Sequence, residues 1–112
     1  MEKNKVIIKF EITYGPIYLS YYEKGLLYTD SDIINSNKEI IELNRKLGEI
    51  YNNWYTFDEN GIPQDFNEEK QLEDANTVLG LLKELTNEIK NADKNVIIDD
   101  HETNYYMELV NK

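Results

Sequence analysis

The side chains with the most evident chemistry lie in one acidic and aromatic stretch near the middle of the chain. Residues 58–74, called the acidic segment below, hold seven acidic residues and a single basic one, Lys70. Carboxylates steer and pair with the Lys and Arg side chains of a partner, and aromatic side chains are frequent anchors of protein interfaces. The stretch therefore predicts a partner-binding surface. Its predicted members are Tyr55, Phe57, Asp58, Glu59, Asp65, Glu68, Glu69, Glu73 and Asp74.

A simpler interpretation of the same stretch stays open. Tyr55, Phe57 and Phe66 can pack against the core, and the carboxylates can form a solvated face whose like charge keeps the protein soluble. The interface interpretation instead requires some of these rings to be exposed beside the carboxylates. Such a surface can imitate nucleic acid, because carboxylates then stand in for phosphates and aromatic rings for bases.

The acidic segment contains a run, residues 58–61, that resembles part of a calcium-binding loop. Aligning Gly61 with the invariant glycine of such a loop puts Thr56 at the first ligand position. The same alignment puts Asn67 where the loop needs a bidentate glutamate. The sequence therefore predicts an ordinary acidic turn at this point.

Asp99, Asp100 and His101 form a second group of potential metal ligands, and His101 is the only histidine. Adjacent residues of a strand or turn point in different directions, so we predict a solvated turn over residues 99–102. The sequence has no cysteine, no G-x-S-x-G pattern and no phosphate-binding glycine loop. We predict a protein that is not an enzyme and that binds no cofactor or metal. A metal- or small-ligand-dependent enzyme using these three residues stays open as an alternative.

A long amphipathic helix from Asn67 to Ala92 must carry much of the acidic segment. Asp65 or Asn67 can cap its start, and Glu68 and Glu69 complement the helix dipole in the first turn. Apolar residues at spacings of three and four predict its buried side. They are Leu72, Ala75, Val78, Leu79, Leu82, Leu85 and Ile89.

A first helix is predicted from about Asn37 to Asn53. Ser36 and Glu39 form a capping-box pattern, and apolar residues follow at helical spacing as far as Trp54, which we expect to pack in the core at the helix end. Residues 54–66 between the helices are predicted as a loop. Asn60 and Gly61 are a strong turn signal there, and Pro63 argues against regular structure just after them.

Alternating apolar residues predict strands on both sides of the two helices. The first three strands, over residues 6–14, 17–22 and 26–29, would form an antiparallel meander. Two further strands are predicted at residues 96–98 and 105–110. The element order β-β-β-α-α-β-β then predicts one α+β domain over residues 1–112, a mostly antiparallel sheet with two helices on one face.

The overall charge restricts the partners of the chain. The formal net charge is −10 and the isoelectric point is about 4.5. An acidic surface repels nucleic acid and anionic membranes, so we predict no direct binding to either and expect a basic protein partner.

The sequence lacks cysteine, has no signal-peptide pattern at its start and has no run of roughly 20 apolar residues. It therefore predicts a soluble cytoplasmic protein.

A short, cysteine-free, acidic α+β chain is similar in overall character to the small bacterial immunity proteins that neutralise toxins, many of them nucleases. It equally resembles phage-encoded inhibitors of host nucleases, including anti-CRISPR proteins. The resemblance covers the overall character and the acidic segment and includes no defining motif, so it assigns no residue. It implies tight stoichiometric binding that occludes a basic active site or a nucleic-acid channel. An immunity protein is the first expectation, and the phage inhibitor is the alternative.

Overall fold

The protein has an α+β fold in which helices predominate, and the longest described helix spans Glu68–Ala92. The computed structural model describes residues 4–9, 27–29, 31–60 and 63–111. Their elements, in order, are β1 (Asn4–Ile8), β2 (Leu27–Thr29), α1 (Asp32–Asn35), α2 (Lys38–Asn52), β3 (Tyr55–Phe57), β4 (Pro63–Phe66), α3 (Glu68–Ala92), β5 (Val96–Asp100) and α4 (Thr103–Val110).

The helix α3 confirms the predicted long helix to within one residue at its start. Its first turn is capped by Asn67, whose side-chain oxygen accepts a hydrogen bond from the backbone N–H of Lys70 at 3.0 Å. Six of the seven apolar residues predicted for its inner side are buried. Leu72 is the exception, because its side chain is 51% exposed. The inner side at that level is instead filled by Gln71.

The helix α2 confirms the predicted first helix, but its cap differs from the prediction. Asn37 caps the helix by accepting a hydrogen bond from the backbone N–H of Ile40 at 3.0 Å. The Ser36 hydroxyl does not act in a capping box, since it donates to the carbonyl oxygen of Asp32 at 2.8 Å. The short helix α1, which ends just before Ser36, was not expected from the sequence and uses that hydroxyl.

The prediction of a mostly antiparallel sheet with two helices on one face is wrong. The larger sheet has three described strands in the order β2-β1-β5. β1 pairs antiparallel with β2 but parallel with β5, with Val6 opposite both Thr29 and Ile98. Parallel pairing needs a long crossover connection, and the helical stretch between residues 32 and 92 supplies one. The predicted strand at residues 96–98 is confirmed as β5, and that at residues 26–29 as β2.

The predicted final strand at residues 105–110 is also wrong, because this stretch is the helix α4. Three of its residues, Tyr106, Leu109 and Val110, lie at helical spacing and pack against the core. The carboxylate of Asp100 accepts hydrogen bonds from the backbone N–H groups of Glu102 and Thr103 at 2.9 and 3.0 Å. These bonds satisfy free donors at the start of the helix and favour helix over strand.

The remaining strand predictions divide into corrected and untested parts. Residues 54–66 are not an irregular loop, because β3 and β4 pair there as an antiparallel hairpin. Pro63 occupies the first position of β4, where a strand tolerates the missing N–H. The predicted strand over residues 6–14 is described only at its start, as part of β1, and residues 10–14 and 17–22 lie outside the described residues.

The core lies between the larger sheet and the helices. Val6 and Ile8 of β1 are fully buried and belong to one core cluster with side chains of α1, α2, α3 and α4. Trp54, just after α2, is 1% exposed and confirms the core position predicted for it. In the part of the chain described here, no helix combines the length and the apolar character needed to cross a membrane.

Candidate partner-binding site

The hairpin and the start of α3 enclose an open pocket of about 430 Å³. Residues 53–56 and 65–70 line it, and it is called the hairpin pocket below. Its volume falls within the range of roughly 300–1,000 Å³ that is usual for ligand sites. Four of its lining residues, Tyr55, Asp65, Glu68 and Glu69, belong to the predicted partner-binding surface.

Backbone pairing positions the residues of the hairpin pocket. Tyr55 lies opposite Phe66 and Thr56 lies opposite Asp65 in the β3–β4 ladder. The backbone N–H of Asn67 donates to the carbonyl oxygen of Trp54 at 2.6 Å, which joins the start of the hairpin to the cap of α3. The hairpin and the helix start are thus joined by direct hydrogen bonds.

Three aromatic residues line the pocket and differ in exposure. Trp54 is buried, Tyr55 is half-buried, and Phe66 is 42% exposed. The centroid of the Phe66 ring lies 5.0 Å from that of Tyr55 and 6.3 Å from that of Trp54. Phe66 therefore presents apolar surface to solvent while its neighbours hold it in place. This is the exposure that the interface interpretation requires.

The hydroxyls of Tyr51 and Tyr106, near these aromatic residues, stabilise the fold through hydrogen bonds. The Tyr51 hydroxyl oxygen lies 3.4 Å from the Tyr55 hydroxyl oxygen. The side-chain amide of Gln71 donates a hydrogen bond to the Tyr106 hydroxyl at 3.3 Å. Burial raises the pKa of Tyr51 and of Tyr106 well above the ordinary value. Both hydroxyls keep their protons at physiological pH, so neither is suited to act as a base.

Three carboxylates line the pocket beside the exposed ring. Asp65, Glu68 and Glu69 are exposed, and Lys70 is the one basic side chain among the described lining residues. Within the described part of the chain, no hydrogen bond or ion pair engages these three carboxylates. The acids of α2 differ, because Glu42 and Glu49 pair with Arg45. The pocket carboxylates are therefore available to a partner.

The other residues predicted for the surface divide between structural and exposed positions. Asp58 accepts a hydrogen bond from the backbone N–H of Asn60 at 2.8 Å and so stabilises the tip of the hairpin, as an ordinary acidic turn would. Asp74 accepts one from the indole N–H of Trp54 at 2.9 Å. Glu59 and Glu73 are exposed but do not line the pocket. The side chain of Phe57 lies outside the described residues.

Phe66 was predicted either to pack against the core or to stand exposed, and it was not among the predicted partner-binding residues. In the structure it is the most exposed of the aromatic residues that line the pocket. A signal for this position was present. Asn60 and Gly61 are a preferred hairpin turn, and pairing the chain symmetrically about them places Tyr55 opposite Phe66. Pocket-lining Trp54, Thr56 and Lys70 were likewise missing from the predicted surface.

Asp99, Asp100 and His101 do not form a metal site in the described part of the chain. The Asp100 carboxylate accepts hydrogen bonds from N–H groups at the start of α4. The predicted turn is shorter than expected because β5 extends through Asp100. Asp99 lies 3.1 Å from His101 and 3.7 Å from the Lys5 ammonium. Among the residues described, no three His, Asp or Glu side chains are grouped so that they could hold a metal ion.

Comparisons of the chain with protein-family models, with curated proteins and with solved structures found no match.

Proposed function

We propose that this protein is an acidic inhibitor that binds a basic protein partner and occludes its functional surface. The first candidate is an immunity protein that neutralises a toxin such as a nuclease. The observation that carries the proposal is the exposed Phe66 ring beside the carboxylates of Asp65, Glu68 and Glu69. The proposal includes no catalytic step and no cofactor.

The two kinds of side chain at the hairpin pocket support the proposal in different ways. Carboxylates at the rim of an interface steer a basic partner and raise its association rate, mainly at low salt. A well-supported aromatic ring near the centre of an interface slows dissociation instead. Phe66 has that support, because Tyr55 and Trp54 pack against its ring.

Occlusion follows from the chemistry of a nucleic-acid-binding partner. The surface with which a nuclease binds nucleic acid is basic because it must bind phosphates. Carboxylates spaced along the hairpin and the first turns of α3 would occupy the places of those phosphates. A phage-encoded inhibitor of a host nucleic-acid-processing enzyme would use the same surface. The two candidates differ in the identity of the partner, which is what the experiment must reveal.

The test is a pull-down from the source cells with a tagged chain, followed by identification of the retained protein and an assay of its activity. The informative variant carries Glu68→Lys, Glu69→Lys and Glu73→Lys. A matched control carries Glu39→Lys, Glu84→Lys and Glu108→Lys, three exposed residues away from the pocket, and changes the net charge equally.

We expect the wild type and the control to retain one basic protein at one-to-one stoichiometry and to inhibit it. The variant at Glu68, Glu69 and Glu73 should lose that protein. Retention of no basic partner, or equal loss in both variants, would contradict the proposal.

A further inference from the structure

The hairpin pocket joins three exposed carboxylates to an exposed aromatic ring, and this pairing suits a particular kind of occupant. We propose that the pocket holds one arginine side chain of the partner. Its guanidinium group would stack on Phe66 and pair with the carboxylates of Asp65, Glu68 and Glu69. The inference rests on the proposed function, because it identifies the part of a basic partner that the site contacts first.

The charge of the lining favours a cation over an anion, although a helix N-terminus by itself attracts anions. Here two of the four N–H groups at the start of α3 are already bonded. The N–H of Lys70 is bonded by the Asn67 side chain, and the N–H of Asn67 is bonded by the carbonyl of Trp54. Three carboxylates against the Lys70 ammonium leave the lining negative.

The combination of ring and carboxylates favours arginine over lysine. A guanidinium is planar, so it can stack on an aromatic face while its N–H groups point at carboxylates in the same plane. It is also more weakly hydrated than an ammonium and loses less on entering a partly apolar pocket. A cation over an exposed ring gains a further cation–π attraction. The Phe66 ring packs against Tyr55 and Trp54 and is still 42% exposed, so part of it is open to a stacking guanidinium.

Trp54 is the only tryptophan and lines the pocket, so its indole N–H resonance reports on occupancy. The experiment titrates the isotope-labelled chain at constant ionic strength with three probes: N-acetyl-arginine amide, the lysine analogue, and the neutral isostere N-acetyl-citrulline amide.

We expect arginine to shift the resonances of the Trp54 indole and of residues 65–70 in a saturable way at millimolar concentration. Lysine should bind more weakly, and citrulline should cause no saturable shift. Equal effects of citrulline and arginine, tighter binding of lysine, or no shift at up to roughly 50 mM arginine would overturn the inference.

Variants then separate the ring from the carboxylates. Phe66→Ala should weaken arginine binding roughly two- to fivefold, the usual size of an exposed cation–π contact. Glu68→Gln with Glu69→Gln should weaken it more than the matched control Glu39→Gln with Glu84→Gln. Equal weakening by both pairs would overturn the inference.

Failure here is distinguishable from failure of the proposed function, because the titration requires no partner. A basic partner that is retained and inhibited, and whose binding is insensitive to Phe66→Ala, would support the inhibitor proposal. The same result would contradict the proposal that the pocket holds an arginine side chain. If no partner is retained, the inhibitor proposal fails whatever the titration gives.

Discussion

Two regions of the molecule use carboxylates in opposite ways. At the junction of α1 and α3, Asp93 is 8% exposed and accepts hydrogen bonds from the Ser31 hydroxyl at 2.9 Å and from the backbone N–H of Asn95 at 3.0 Å. At the hairpin pocket, Asp65 and Glu68 are exposed, and no described group binds their carboxylates. The same chemistry is fully used by the fold in one place and is free for a partner in the other.

Ser31 makes the buried region a network rather than a single pair. Its hydroxyl caps α1 by accepting from the N–H of Ile34, and its own backbone N–H donates to the Thr29 hydroxyl at 3.1 Å. The residue thereby joins β2 and α1 to the end of α3, which lies 62 residues away at Asp93. Comparing the two regions shows that residue type alone does not identify a carboxylate that is available for binding. Burial and hydrogen-bond partners do.

The largest expected effect comes from removing the buried carboxylate. Asp93→Ala leaves the Ser31 hydroxyl and the Asn95 N–H without their partner, so we expect the free energy of unfolding to fall by about 3 kcal/mol. The matched change Asp65→Ala should alter it by less than about 0.5 kcal/mol, because no described group binds that carboxylate. Urea denaturation of both variants measures the difference. Equal losses would show that the two regions do not differ as described.

The next effect is on binding rather than on folding. Once a partner has been retained, Phe66→Ala or Tyr55→Ala should speed its dissociation, with a loss near 2 kcal/mol if the ring is a hot spot. Surface plasmon resonance gives the rate, and Leu72→Ala is a control at another exposed apolar residue. If Leu72→Ala loses as much binding free energy as the ring variants, the interface lies on the outer side of α3 instead.

A smaller, stabilising effect is expected at Gly80 in the middle of α3. A Cβ atom built there meets nothing within 4 Å, so alanine fits without a clash. Gly80→Ala should raise the free energy of unfolding by about 0.5–1 kcal/mol, because glycine loses more conformational freedom on folding. Thermal melting measures the gain, and partner binding should stay unchanged. Destabilisation would mean that the helix is not regular at this position.

The smallest expected effect depends on pH. A hydrogen bond with Glu39, together with the negative charges of Glu39 and Glu84, raises the pKa of Glu88 above its ordinary value of 4.5. The folded state therefore favours the protonated carboxyl of Glu88. This contribution to the free energy of unfolding is fully present below pH 4.5 and is lost as the pH rises through the raised pKa of Glu88.

Glu88→Gln removes the titrating group, so its melting temperature should exceed that of the wild type at pH 7 by a small amount. The two should converge near pH 4. Glu108→Gln, on another helix, serves as the control. A gap that stays constant with pH would show that the carboxyl of Glu88 does not interact with Glu39 and Glu84 in this way.

The sequence predicted the parts of the fold that depend on local pattern. The ends of α2 and α3 are within one residue of the prediction, since long runs at helical spacing carry a strong signal. The helix α4 was missed because its Tyr and Val residues favour strands, and because its start depends on the cap from Asp100. The parallel pairing of β1 with β5 joins residues about ninety positions apart, which no local pattern encodes.

The candidate site was predictable in its location but not in its composition. Charge density led to the acidic segment, and four of the nine predicted residues line the hairpin pocket: Tyr55, Asp65, Glu68 and Glu69. Sequence could not show that Asp74 binds Trp54, because that hydrogen bond spans twenty residues. It also treated residues 54–66 as a loop, and so missed the ladder that presents Phe66.

We propose that the carboxylates around the hairpin pocket, rather than the net charge, guide a basic partner to this surface. The most direct measurement is the association rate constant of the retained partner, by stopped flow, at low and at physiological salt. It compares the wild type with the two triple charge reversals described above. We expect the variant at Glu68, Glu69 and Glu73 to associate slowly and to lose most of its salt dependence, while the control associates nearly as the wild type does. Equal slowing of both variants would contradict the claim.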